Sequence, residues 1–275
     1  MSGDVVMAAV VTAIPVLVLW RGLRPVDERE LRRWADRFGP TLDHQTRPHI
    51  TRALRRGRRL RAAGAAAGIV VAAAPAYMNL VDPARSSDVA GPVTGLAWVF
   101  GAALGSTVAE VAFVQRPSGR RVATLERRRW QHYVPVPSVA AVVVAAIVAS
   151  LAAAVALARR TSGSGEAVAL AIAATIAVLC LVAGLRQIVG RPRLSVDGRL
   201  RVVDEALRAD GAHRLAGATF AMAGASALVG LSEATWDLVP LLGLAAGLLQ
   251  HAAFGWWWVL SRDVVWRMDA AAAAA

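Results

Sequence analysis

The chain contains no lysine: apart from histidine, its basic residues are all arginine. That absence removes any chemistry needing a lysine amine, such as a retinal or pyridoxal Schiff base, and it removes the phosphate-gripping lysine of a Walker A loop. Nucleotide-driven work would need another subunit. Cysteine is nearly absent too. The single Cys180 lies in an apolar run, which leaves no intrachain disulfide and no cysteine-based metal site. It reads as a small buried hydrophobe. No H-E-x-x-H motif occurs, and His44 and His49 have no acidic or cysteine neighbours suited to a metal. No cofactor is implied. The opening MSGD has no basic residue ahead of its apolar run, so it reads as an uncleaved first span with its N-terminus outside, not as a signal peptide.

Apolar residues make up 56% of the 275, mean hydropathy is +0.48 and net charge is +12. On a soluble domain such basicity would point to nucleic acid. Long apolar runs take precedence, because about 20 apolar residues carry a helix across roughly 30 Å of hydrocarbon. Seven candidate spans are expected: 5–20, 61–80, 90–114, 136–158, 167–185, 215–231 and 238–260. Lipid offers no partners for free backbone groups, so each must be helical. The predicted fold is therefore all-α, a polytopic transmembrane bundle with its N-terminus outside and its C-terminus inside. It forms a single integral membrane domain over 1–275, with a cytoplasmic arginine-rich loop at 21–61 and a cytoplasmic amphipathic loop at 186–214.

The arginines test that count. With the N-terminus outside, all but Arg85, Arg159 and Arg160 fall on the cytoplasmic side, as the positive-inside rule requires. The stretch RRGRRLRAAGAAAGIVVAAAPAYMNL at 55–80 is then a cytoplasmic helix running into the membrane, its arginines at anionic headgroups worth about 1 kcal/mol each. The partner is a bilayer, not a nucleic acid.

Three inner loops open alike, with LWRGLRP, AFVQRP and QIVGRP, where Pro25, Pro117 and Pro192 end a helix. A weak repeat of two-helix hairpins follows. Leu31, Trp34 and Phe38 share one helical face. So do Val196, Leu200, Val203 and Leu207, with Ser195 as a candidate cap and Asp204 four residues before Arg208. Such amphipathic helices lie on lipid or dock a partner. Small-residue pairs at a spacing of four (Gly64 and Gly68, Gly101 and Gly105, Gly243 and Gly247) suit close helix contacts, as do Gly217, Gly224 and Gly230 on another span. Trp20, Trp130, Trp236, Trp256, Trp257, Trp258 and Trp266 read as an interfacial belt.

Polar groups within spans are functional candidates. Glu110, Gln250 and His251 would line a transport path; the plainer alternative pairs Glu110 with an inner-face arginine. Gly224-Ala225-Ser226 is similar to the Gly-x-Ser of rhomboid-type proteases. Depth argues against a pair with His251, since the two lie roughly 10 and 20 Å from the outer face. No catalytic residue is assigned, and no enzyme is expected.

TRPHITRALRRGRRLRAAGAAAG, LERRRWQHYVPV and VVDEALRADGAHRLAGA resemble an uncharacterised family of polytopic membrane proteins from high-GC actinobacteria. The resemblance implies no activity. Such proteins are often encoded beside ABC-transporter components, which implies a partner of that kind. The expected function is a non-catalytic membrane subunit of a transport assembly, docking an ATPase or second membrane protein through Arg52, Arg55, Arg56, Arg58 and Arg59 with Leu200, Val203 and Leu207. The alternative is a self-contained secondary transporter using Glu110, Gln250 and His251.

Overall fold

The computed structural model describes residues 3–81, 92–111, 129–160, 164–191 and 198–235, and these are helical almost throughout. The helices are α1 (Gly3–Leu23), α2 (Glu28–Phe38), α3 (Thr46–Val81), α4 (Pro92–Val111), α5 (Val136–Arg159), α6 (Ser164–Gly190) and α7 (Gly198–Thr235), with a short 3₁₀ turn at Trp130–His132. Three of them, α5, α6 and α7, are long and apolar enough to cross a membrane. The expected span 238–260 lies outside the described residues, as do Gly243, Gly247, Trp236 and the later tryptophans.

Helix ends follow local chemistry. Asp27 accepts from the Glu30 N–H at 2.6 Å and caps α2, with Glu28 and Glu30 in the first turn. Gly39, at φ +84°, ends α2 in the left-handed conformation and donates to Ala35 O. Asp43 opens α3 as a reciprocal cap. Its Oδ1 accepts from the Thr46 N–H at 2.8 Å, and its own N–H donates to Thr46 Oγ1 at 3.0 Å. The Arg-Pro stops act as expected where they are described: α1 ends two residues before Pro25 and α6 two before Pro192. Pro117 lies outside the described residues. Pro15 and Pro75, which hinted at broken helices, sit within the unbroken assignments of α1 and α3.

The two inner loops are mostly helix. The arginine-rich segment holds α2 and the first four turns of α3, and α3 continues into its apolar half as one helix. The 186–214 segment is the end of α6 and the start of α7, which runs on into its apolar half; Ser195 and Val196 are outside the described residues.

Side-chain sizes are arranged for a lipid surround. On α5 and α6 the inward positions are alanines, among them Ala145, Ala149, Ala174 and Ala177. Large aliphatics point out, with Leu151 and Leu179 each 62% exposed. Small residues between helices and large apolar ones outside are what membrane packing favours. Centrally placed, α7 touches α3, α4, α5 and α6. The closest backbone approach joins α3 to α4. A Cβ added at Gly64 would collide with Gly101 O, one at Gly101 with Gly64 O, and one at Gly105 would lie 2.5 Å from Leu60 O. Gly224, by contrast, opens on empty space, so its smallness serves no contact there.

Candidate functional site

The inner ends of α3, α4, α6 and α7 gather charge that the bundle buries. Glu110, near the end of α4, faces Arg191 directly after α6. The Arg191 Nη2 donates to Glu110 Oε2 at 2.8 Å and also to the Glu110 carbonyl, and the two side chains are 12% and 8% exposed. Gly211 on α7 makes room for this pair, since a Cβ there would sit 2.5 Å from Glu110 Oε2. The plainer reading of Glu110, a partner for an inner-face arginine, describes this contact. Gln250 and His251 lie outside the described residues.

Behind that pair, Arg208 is 1% exposed. It binds Asp204 through Nε at 3.1 Å and Nη2 at 2.9 Å. It also donates to the carbonyls of Ile188 and Arg191, so a guanidinium from α7 caps the C-terminus of α6. An equivalent contact closes the first unit, where Arg58 on α3 pairs with Glu30 at 3.0 Å and donates to the carbonyl of Arg24, just past α1. Both capped carbonyls, Arg24 and Arg191, belong to the arginine of an Arg-Pro stop, which gives the weak sequence repeat a shared structural role.

Asp210 receives two donors. Arg214 Nε lies at 2.6 Å and Trp34 Nε1, from α2, at 3.1 Å. Tyr133 Oη donates to Glu205 at 2.6 Å. With these anchors α2 lies on the bundle, and Leu31, Trp34 and Phe38 join the core that includes Ile50, Leu54, Val203 and Leu207. This corrects the two fates expected for the amphipathic segments. Their apolar faces are covered by this chain itself, because α2 and α7 present their stripes to each other's neighbours. Val203 and Leu207 are core residues and Leu200 is half-buried.

The arginine face divides. Arg58 turns inward as described. Arg47, Arg52, Arg55, Arg56 and Arg59 line an open groove of about 750 Å³ along α3. Arg47 also pairs with Glu28 on α2. A second, much smaller cavity of about 30 Å³ lies among Arg61, Glu110, Arg191, Asp210 and Arg214. Among the described residues no cluster of histidine, cysteine and carboxylates is placed to hold a metal. Ser226 is fully buried and its Oγ donates to Met222 O at 2.9 Å.

Asp43 sits beside this face. The backbone N–H of Thr46, seconded by that of Gln45, holds its carboxyl below the usual range.

Sequence reasoning found Glu110 and the Asp204–Arg208 pair. It missed Asp210, although Asp210 precedes Arg214 by the same four residues. It missed Arg191 and Trp34 as partners because no local pattern links them to Glu110 and Asp210. Comparisons with known proteins return no match: no family model, curated protein or solved structure corresponds to the chain.

Proposed function

We propose that the chain is a multi-pass protein of the bacterial cytoplasmic membrane, with seven spans, N-terminus outside and C-terminus inside, and that it serves as a non-catalytic subunit of a transport assembly. Its α3 groove docks the acidic face of a cytoplasmic ATPase or of a second membrane protein. The observation that supports this is the run of Arg47, Arg52, Arg55, Arg56 and Arg59 along one open face of α3, directly before its apolar half. A guanidinium row suits carboxylates on a partner, since each fork takes a carboxylate in bidentate fashion. Orientation rests on the arginine distribution.

Compared with the sequence expectation, the docking set loses Arg58, Val203 and Leu207, which hold this chain together, and gains Arg47. The secondary-transport alternative loses ground for a related reason: Glu110 is engaged by Arg191 and walled by Gly211.

The test is purification from the native host in mild detergent, comparing wild type with the double variant Arg52→Glu, Arg59→Glu. Both side chains are exposed, so the variant is expected to fold. A stoichiometric, salt-sensitive acidic partner should accompany the wild type and be lost from the variant. A solitary wild-type protein, or a partner retained by the variant, refutes the reading.

A further inference from the structure

The 30 Å³ cavity at the inner end of the bundle is out of charge balance. Three guanidinium groups, of Arg61, Arg191 and Arg214, and two carboxylates, of Glu110 and Asp210, line it. Each carboxylate has its own arginine, with Glu110 on Arg191 at 2.8 Å and Asp210 on Arg214 at 2.6 Å. Nearby charges are matched too: Arg208 by Asp204 and Arg58 by Glu30. Arg61 is left with no hydrogen bond or ion pair among the described residues.

Its position is built. Arg61 lies along Gly57, one turn earlier on α3, where an added Cβ would stand 3.0 Å from Arg61 Nη1. Gly211 faces it from α7 and gives space to the Glu110 carboxylate. Ala53, Leu54, Ala109 and Leu207 supply apolar wall. A positive charge in excess, held in a partly apolar recess, is costly unless a counter-charge joins it. The volume matches one water's share of the liquid, about 30 Å³, and so admits one particle of that order. Phosphate, carboxylates with a carbon chain and lipid headgroups are too large.

We infer that this cavity, bounded by Arg61, Arg191 and Arg214, binds one small monovalent inorganic anion of chloride's size. The ion completes the charge balance between α3, α4 and α7 and so ties the arginine-bearing half of α3 to the bundle. This site is separate from the α3 groove and stands whether or not that groove docks a partner.

The full chain in a phosphate-free maltoside detergent would be heated in sodium chloride and in sodium gluconate at equal ionic strength. Chloride should raise the melting temperature by a few degrees, saturably with concentration, as a ligand of the folded state does; gluconate, too large for the recess, should not. Arg61→Gln should abolish the chloride response and melt no lower than wild type in gluconate, because the unmatched charge is gone. A merely structural Arg61 would lower stability in both salts. An equal response to the two salts, or an unchanged response in Arg61→Gln, overturns the proposal. Should that variant not fold, chloride NMR linewidths on wild type decide: excess broadening that bromide competes away supports the site, and bulk linewidths sink it.

Discussion

The indole N–H of Trp34 donates to the Asp210 carboxylate at 3.1 Å, across 176 positions of sequence. This bond joins the short helix α2 to the middle of the longest helix, and it does so beneath the side chains of Leu31 and Phe38. Trp34→Phe keeps most of the ring volume and removes the donor. Asp210 retains Arg214, so the loss should be about 1–2 kcal/mol. Trp34→Ala adds a cavity, and the loss should reach about 3–5 kcal/mol. Denaturant unfolding in detergent measures both. Equal losses would mean that the hydrogen bond contributes nothing beyond packing.

Glu110 and Arg191 should behave as a unit. Glu110→Gln leaves a buried guanidinium without its counter-charge, at a cost of about 3–5 kcal/mol. The double variant Glu110→Gln, Arg191→Gln should be less damaged than the sum of the singles. A double-mutant cycle on thermal or denaturant unfolding reads the coupling. Simple additivity would mean that the pair is not coupled.

Two glycines make opposite predictions. Gly101→Ala places a methyl against the Gly64 carbonyl and should destabilise the α3–α4 contact by about 1–3 kcal/mol. Gly224→Ala meets nothing within 4 Å and gains helix propensity, so it should be neutral or stabilising by up to about 1 kcal/mol. Melting temperatures of the two variants, side by side, test the packing of the bundle.

Asp43 predicts a pH response. Its carboxyl is held below the model value of 3.8 by the Thr46 and Gln45 backbone donors. A depressed carboxylate stabilises fully above its unfolded value and loses that contribution as pH falls through the folded one. Wild type should therefore lose stability below about pH 4, and Asp43→Asn should flatten that part of the profile. Melts between pH 2 and 6 would show it; identical slopes for the two proteins would remove Asp43 from the account.

The helices were legible in the sequence because their signals are local. Apolar runs marked α5 and α6, the i, i+4 spacing marked Asp204 with Arg208, and prolines marked where α1 and α6 stop. The face formed by Leu31, Trp34 and Phe38 was legible too. What covers that face was not, because periodicity names a stripe and leaves its occupant open. Glu110 stood out as an acid in an apolar run, yet its partner lies 81 positions away, and only the fold brings them together. The arginines of α3 looked alike in sequence. Their separation into inward Arg58, cavity-facing Arg61 and groove-lining Arg52 depends on where α1, α2 and α7 pack.

α3 is one helix of 36 residues, about 54 Å long. Its Gly64 crossing with α4 acts as a fulcrum, and Arg47 lies 17 residues away along the axis, a lever arm of about 25 Å. A tilt of about 10° at that crossing swings the arginine end by roughly 4 Å, on the scale of one helical turn. The gearing runs the other way as well: a load on the arginines is delivered to a contact between bare backbones, where no side chain is present to absorb it.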